Sequence, residues 1–240
     1  MIAVTSVSPT HKNGDIQLKA LESWKAHGFE VYCFQSPSEV DFLAPHYPKW
    51  VNWVKTHRTA EKTFKAPYVH INAFIDWAKE KDLESFMIIN SDIIMIGGEK
   101  KIKELWANSY RGLIVMNRED FDEDTNVSTR YEWGMDAFIF HKSFYDIYPQ
   151  GVYAMGQTWW DFWIPYRTLK ANIPIYQVEE KIIYHKKHQI QYNVAEWMRM
   201  VQYFQWENNY MYGNNRRPQI INDRVLSEIQ TGFRKTKGMI

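Results

Sequence analysis

A single aspartate, Asp92, stands between two apolar runs in the stretch FMIINSDIIM. An unpaired charge inside a buried strand is costly, so we expect Asn90, Ser91 and Asp92 to lie where one strand ends. In an α/β sheet, the carboxyl ends of parallel strands form the edge where ligands bind. A carboxylate there suits a hard divalent cation, which is often held by one or two carboxylates together with substrate phosphates. The alternative is that Asp92 caps a turn through backbone amides.

A second carboxylate, Asp161, lies in the aromatic stretch TWWDFW. Apolar surroundings disfavour the charged form and raise the pKa of a carboxyl group, which makes Asp161 a candidate general base. Aromatic side chains at successive helix positions cannot all face one core, so we expect Trp159 and Trp160 to line an acceptor- or sugar-binding cleft. In the alternative interpretation, Asp161 is a capping or surface residue and the tryptophans belong to the core.

Two histidines, His185 and His188, lie in the stretch KIIYHKKH. We prefer His185 as a metal ligand, because it ends the apolar run as a residue at a strand end would, and imidazole is acceptable to Mn²⁺. Asp136 follows Gly134, a residue type that allows close backbone approach. Asp136 is therefore a candidate for hydrogen bonds to sugar or acceptor hydroxyls; the alternative is that it starts a strand.

Four more residues are candidates for contact with a nucleotide donor. Thr5 and Ser6 end the first predicted strand, where hydroxyl and backbone groups can bind a base or ribose, or only satisfy the local backbone. Arg58 and Lys65 lie in the basic stretch HRTAEKTFK. Cations at this place would offset the charge of a diphosphate, and the alternative for each is a solvated loop residue.

The elements that must position these residues alternate between strands and helices. Periodicity predicts strands at 2–7, 29–35, 85–89, 111–117 and 136–141, and helices at 14–28, 68–82 and 99–110. Residues 157–172 read as a helix interrupted at Pro165, and residues 118–126 as a solvated acidic loop. Further helices are predicted at 194–212 and 223–230. This order indicates an α/β domain with a mixed, mostly parallel sheet, followed by a helical C-terminal appendage.

The chain resembles the metal-dependent glycosyltransferases of the GT-A fold over roughly residues 1–190, from AVTSV through NSD, YEWGMDAFIF and YAMGQTWWDFW to KIIYHKKH. The resemblance implies a Rossmann-type catalytic domain over 1–190 and a helical extension over 191–240. It also implies that Asn90-Ser91-Asp92 is a variant DXD motif, with Asn90 in place of the first aspartate. Asp92 and His185 would bind Mn²⁺ or Mg²⁺ with a UDP- or GDP-sugar, and Asp161 would deprotonate the acceptor hydroxyl in an inverting transfer.

Composition restricts the partners and the location. The net charge of +1 offers no bulk electrostatic attraction to nucleic acid or membrane. One cysteine excludes an internal disulfide, and the N-terminus shows no signal peptide or membrane span, so we expect a cytoplasmic protein. We expect the acceptor to be a glycan or a small molecule. A hydroxylated DNA base stays open, because QYFQWENNYMYGNNRRP mixes aromatics with Arg216 and Arg217. The alternative functions are a nucleotidyltransferase acting on sugar phosphates and a non-catalytic nucleotide or sugar binder.

Overall fold

The computed structural model describes residues 1–9, 14–122, 127–187, 193–209 and 218–236. Its strands are β1 Ile2–Thr5, β2 Glu30–Gln35, β3 Asn52–Lys55, β4 Ser85–Ile89, β5 Ile93–Met95, β6 Leu113–Asp122, β7 Val127–His141, β8 Ile175–Gln177, β9 Ile183–Lys186 and β10 Phe233–Lys235. Its α-helices are α1 Gly14–Ala26, α2 Pro37–Leu43, α3 Glu61–Phe64, α4 Ile71–Glu80, α5 Glu99–Ala107, α6 Trp160–Lys170, α7 Val194–Glu207 and α8 Pro218–Gly232.

All the described strands join one sheet, whose main order is β10-β8-β6-β7-β4-β1-β2-β3. Strand β1 runs parallel to β2 and β4, and β6 runs parallel to β8 and β9. Strand β7 is antiparallel to both of its neighbours, β4 and β6, and β5 is antiparallel to β9. The mixed, mostly parallel sheet with flanking helices confirms the predicted fold class.

The sheet has a separate apolar layer on each face, because successive side chains of a strand point to opposite sides. Phe86 and Ile88 of β4 join a cluster with residues of α4, α6, α7 and α8. Met87 and Ile89 join a second cluster with residues of α1 and α5. The C-terminal helices therefore share the core of the sheet. Among the described residues, no helix combines the length and the apolar character that a membrane crossing requires.

Helix α1 is fixed directly to the short strand that follows Asp92. Trp24 of α1 is fully buried, and its indole Nε1–H donates to the carbonyl oxygen of Ile93 at 2.7 Å. The hydroxyl of Ser23 accepts from the backbone N–H of Met95 at 3.0 Å. These contacts hold β5 beside the end of β4, and they set the course of the chain through residues 90–92.

Three expectations about secondary structure are wrong. The acidic loop predicted at 118–126 is a strand as far as Asp122, because β6 continues there in pairing with β7 and β9, and residues 123–126 lie outside the described ranges. Helix α6 continues through Pro165, since a proline there removes a single intrahelical bond, to the carbonyl of Asp161. The C-terminal region is not wholly helical, because β10 adds a parallel strand beside β8.

Candidate active site

The Asn90-Ser91-Asp92 segment lies at the carboxyl end of β4, as the apolar pattern predicts. Its backbone is held by β7, because the N–H of Asn90 donates to the carbonyl of Asp136 at 3.0 Å. Ser91 contacts Gln17 of α1, with 3.3 Å between the hydroxyl and Oε1. The side chain of Asp92 is 22% exposed, so it faces an opening rather than the core.

His185 lies opposite the beginning of β5, and this pairing brings the imidazole to Asp92. Strand β5 runs antiparallel to β9 with Ile93 facing His185. The Nε2 atom of His185 lies 3.5 Å from Oδ2 of Asp92. The sequence therefore identified two residues that the fold places together, although 93 positions separate them. His188 lies outside the described residues.

A third side chain, Asp120 of β6, holds the other nitrogen of the imidazole. The Nδ1 atom of His185 lies 3.1 Å from Oδ1 of Asp120. Because an ionised carboxylate can only accept, Nδ1 carries the proton in this bond. The same oxygen of Asp120 accepts from Nε–H of Arg118 at 2.7 Å. This arrangement directs Nε2 of His185 toward Asp92.

Arg118 also reaches Asp136 on the neighbouring strand β7. Its Nη1 lies 3.1 Å from both carboxylate oxygens of Asp136, and the amide of Asn90 donates to Oδ1 at 2.6 Å. The Asp136 side chain is 5% exposed. A Cβ at Gly134 would lie 3.0 Å from Oδ2 of Asp136 and 2.6 Å from Cδ1 of Tyr131, so the missing side chain at Gly134 leaves room for both.

These contacts form a closed circuit of side chains, which begins and ends on the loop after β4. We call this circuit the polar ring; its members, in order, are Asn90, Asp136, Arg118, Asp120, His185 and Asp92. Sequence reasoning missed Arg118 and Asp120, because they fall in the stretch taken for a solvated loop. They are two residues apart and directly follow an apolar run. Residues at this spacing share one face of a strand, so the pattern indicates that the strand continues through both of them.

The polar ring is strongly charged and partly buried. Burial lowers the pKa of His185, but hydrogen bonds to Asp120 and Asp92 outweigh it and raise that pKa to about 9. Burial raises the pKa of Asp120, while the bonds from His185 and Arg118 bring it below its ordinary value. The ring contains three carboxylates and two basic side chains, Arg118 and His185. It therefore keeps an excess of negative charge even when the imidazole is protonated.

Asp161, at the second position of α6, supplies a fourth carboxylate near the ring. Burial raises its pKa to about 7, and the negative charge of Asp136 adds to the rise. Hydrogen bonds from the first backbone amides of α6 and the charge of Arg118 oppose it. Asp161 keeps part of its surface exposed. The raised pKa expected from the aromatic context is thus present, and the second cause, Asp136, comes from the tertiary structure.

The two tryptophans before Asp161 lie in the core and not on a cleft wall. Trp159 is 1% exposed and Trp160 is 3% exposed. The Trp159 ring packs against Phe204 of α7, with centroids 4.9 Å apart, and Trp160 meets Phe138 of β7 at 5.6 Å. The expectation that they line an acceptor cleft is therefore not met, because α7 and β7 cover both rings. Trp159 is the N-cap residue of α6 and lies in the left-handed region, with φ of 78°.

The predicted nucleotide-contacting residues lie outside the polar ring. Thr5 is fully buried at the end of β1, and its hydroxyl and the N–H of Ser6 contact the sulfur of Met155 at 3.5 and 3.2 Å. Arg58 donates to Asp76 at 2.6 Å and to Gln150, so its guanidinium is already paired. Lys65 is exposed at the end of α3.

Asp92 and His185 are the pair best placed to hold a cation. Oxygen and nitrogen atoms 3.5 Å apart can both approach one ion. Asp120 holds the Nδ1 proton of His185, so a bound cation would take the place of the second imidazole proton, on Nε2. No group of three or more His, Cys, Asp or Glu side chains forms a metal cage within the part of the chain that the structure describes. A two-ligand site suits Mg²⁺ or Mn²⁺ that substrate phosphates also coordinate.

No family model matches the chain, and no curated protein is significantly similar to it. Among solved structures, S. aureus TarS aligns with a TM-score of 0.52 at 12% identity, over 95% of this chain and 42% of TarS. HddC from Yersinia pseudotuberculosis complexed with GMP-PN aligns at 0.39 and 15% identity, over 62% of this chain and 80% of HddC. A proposed nucleotide-diphospho-sugar transferase from Desulfovibrio desulfuricans G20 aligns with a TM-score of 0.46 at 8% identity, over 97% of this chain and 98% of the transferase. The TarS alignment supports a GT-A-like fold.

Proposed function

We propose that this protein is a glycosyltransferase that moves a sugar from a nucleotide-diphosphate-sugar to an acceptor hydroxyl with the help of Mn²⁺ or Mg²⁺. The observation that carries the proposal is the pairing of Asp92 with His185 at the carboxyl end of β4, with the partly exposed carboxylate Asp161 near the same ring. This combination would supply a cation site and a general base at the edge of the sheet where α/β proteins bind nucleotides.

The polar ring would hold the donor through a divalent cation. Asp92 and Nε2 of His185 are the proposed ligands, and the excess of negative charge in the ring favours a cation there. A metal held by these two residues would supply Lewis-acid stabilisation of the leaving diphosphate. Asn90 supports Asp92 indirectly, because its amide is bonded to Asp136 and fixes the loop that carries both residues. In this proposal the role of Asn90 is to hold this loop in place.

Asp161 is the proposed general base. A carboxylate with a pKa of about 7 is ionised in a large share of molecules at neutral pH and accepts a proton more readily than an ordinary aspartate. It would remove the proton of the acceptor hydroxyl as that oxygen attacks the anomeric carbon from the side opposite the diphosphate. Asp136 serves this role through its charge, which disfavours ionised Asp161 and so increases its basicity. The product would have inverted configuration.

The donor and acceptor are proposed only by class. UDP- and GDP-sugars are the donors to test, with Thr5 and Ser6 at the end of β1 as candidate contacts for the nucleoside. Arg58 and Lys65 are candidates for neutralising the diphosphate. In this role Arg58 would have to leave its ion pair with Asp76. Glycans and small hydroxylated molecules are the acceptors to test, together with DNA that contains a hydroxylated base.

A donor screen tests the proposal. The chain is incubated with UDP- and GDP-sugars and Mn²⁺, and thermal stabilisation and release of the nucleoside diphosphate are measured. We expect one donor to raise the melting temperature and to be hydrolysed slowly, with both effects lost in EDTA. Release of pyrophosphate from a nucleoside triphosphate and a sugar phosphate would indicate a nucleotidyltransferase instead. Stabilisation without any turnover would indicate a binding protein.

A further inference from the structure

Asp120 accepts two hydrogen bonds on one oxygen, and this geometry determines what His185 can do. Oδ1 of Asp120 receives Nε–H of Arg118 at 2.7 Å and Nδ1–H of His185 at 3.1 Å. A histidine whose Nδ1 is held in this way presents Nε2, with its ring orientation fixed, to whatever lies beyond. Beyond it here lies Asp92, at 3.5 Å.

Arg118 joins two neighbouring strands at the centre of the site. Its Nε is bonded to Asp120 on its own strand, and its Nη1 is bonded to Asp136 on β7. The guanidinium also lies 4.6 Å from the ring centroid of Tyr131, and its side chain is 16% exposed. The planar guanidinium is held on several sides and has little rotational freedom, so it fixes the distance between the carboxylates of Asp120 and Asp136.

We propose that Asp120 and Arg118 are positioning residues for the cation site: Asp120 orients the imidazole of His185 toward Asp92, and Arg118 locks Asp120 against Asp136. This inference rests on the proposed function, since it concerns the same cation. Neither residue has to touch the cation or the donor. Their effect is to hold the ligand pair in a geometry that one ion can use.

The first test measures Mn²⁺ binding, with Mn²⁺ alone titrated into the full chain and the free ion followed by electron paramagnetic resonance. We expect Asp120→Ala to weaken Mn²⁺ affinity by about 10–100-fold, the usual cost of removing a residue that orients a metal ligand. Asp120→Asn should cost less, because its amide oxygen can still accept from both Arg118 and His185. The matched control is Asp122→Ala on the same strand, which removes a carboxylate paired with Lys187 at 3.3 Å.

Arg118→Lys separates positioning from simple electrostatics. The substitution keeps the positive charge, so an electrostatic effect alone predicts unchanged Mn²⁺ affinity. A lysine ammonium lacks the planar fork that holds two carboxylates at fixed angles, so positioning predicts weaker binding, in the direction of Asp120→Ala. Arg118→Met gives a second comparison, because loss of a nearby cation should tighten Mn²⁺ binding by electrostatics and weaken it by positioning. Thermal unfolding of each variant verifies that it is folded.

The pattern of results distinguishes this inference from the proposed function. Weaker Mn²⁺ binding in Asp120→Ala, Arg118→Lys and His185→Ala, with Asp122→Ala unchanged, supports it. Unchanged binding in Asp120→Ala and Arg118→Lys, with a loss in His185→Ala, overturns the positioning roles and leaves the metal site in place. Equal losses in Asp120→Ala and Asp122→Ala also overturn them, because charge alone then explains the effect. Unchanged binding in His185→Ala and Asp92→Asn rejects the metal site itself.

Discussion

Asp161→Asn tests the chemistry of the proposed base and the electrostatics of its surroundings together. Burial and the charge of Asp136 raise the pKa of Asp161 to about 7, so the folded protein binds this proton more tightly than the unfolded chain does. The stability of the folded state therefore falls as the pH rises from about 4, where unfolded aspartate titrates, to about 7. Asparagine cannot ionise, so the variant escapes this loss.

The size of the effect follows from the shift. A rise from 3.8 to about 7 corresponds to a ceiling of roughly 4 kcal/mol at about pH 8. Solvent screening at a partly exposed side chain reduces this to roughly 2 kcal/mol. For a chain of this size, we then expect Asp161→Asn to raise the melting temperature by about 4–8 °C at about pH 8. At about pH 3 the expected difference is about zero, because Asp161 is then largely protonated in both the folded and the unfolded chain.

Catalysis should change in the opposite direction. Loss of a general base lowers the rate of transfer by about 10²–10⁴-fold. Binding of the nucleotide-sugar should stay nearly intact, because the proposed cation ligands belong to the polar ring and Asp161 does not. The assays are product formation with the donor identified by the screen, donor titration, and thermal unfolding at both pH values. Asp41→Asn, at an exposed position of α2, is the control.

Three outcomes would refute this reasoning. Transfer at more than a tenth of the parent rate would remove the base role of Asp161. A product with retained configuration would also remove it, although Asp161 could still orient the acceptor. A lower melting temperature in Asp161→Asn than in the parent protein at about pH 8 would show that the partners of Asp161 stabilise its ionised carboxylate, contrary to the raised pKa.

The remaining predictions concern the cation site and the space around it. Asp92→Asn should abolish turnover and metal-dependent nucleotide binding without unfolding the protein; full activity in this variant or in excess EDTA would reject the metal. His185→Ala should weaken Mn²⁺ affinity measured by titration, whereas His188→Ala should have little effect, and the reverse result would move the site by three residues. Gly134→Ala should lower transfer and stability, the latter by about 1–3 kcal/mol, because the new Cβ would lie 2.6 Å from Tyr131. The double variant with Tyr131→Ala should recover part of that stability, and no recovery would show that the ring is not the obstacle.

Local pattern was sufficient for much of the fold. The apolar run before Asn90 predicted a strand over 85–89 that ends at a polar segment, because period and hydrophobicity are properties of neighbouring residues. The helices at α1, α4 and α5 followed from the same reasoning. The placement of Asp92 at a strand end also followed, since an unpaired carboxylate is excluded from a strand interior. The sequence likewise indicated a raised pKa at Asp161, from apolar neighbours along the chain.

The connections among the site residues required the tertiary structure. His185 meets Asp92 and Asp120 only because β9 lies between β5 and β6, and strand partners so distant in sequence leave no periodic signal. Arg118 and Asp120 looked like solvated surface, since a run of charges does not reveal that a neighbouring strand will bury it.

The burial of Trp159 and Trp160 was decided in the same way, by elements that lie elsewhere in the chain. Phe204 of α7 covers Trp159, and Phe138 of β7 covers Trp160. The sequence by itself thus determined which residue types stand at strand and helix ends. Long-range packing decided which of them meet, because burial and pairing depend on what the rest of the chain places against each side chain.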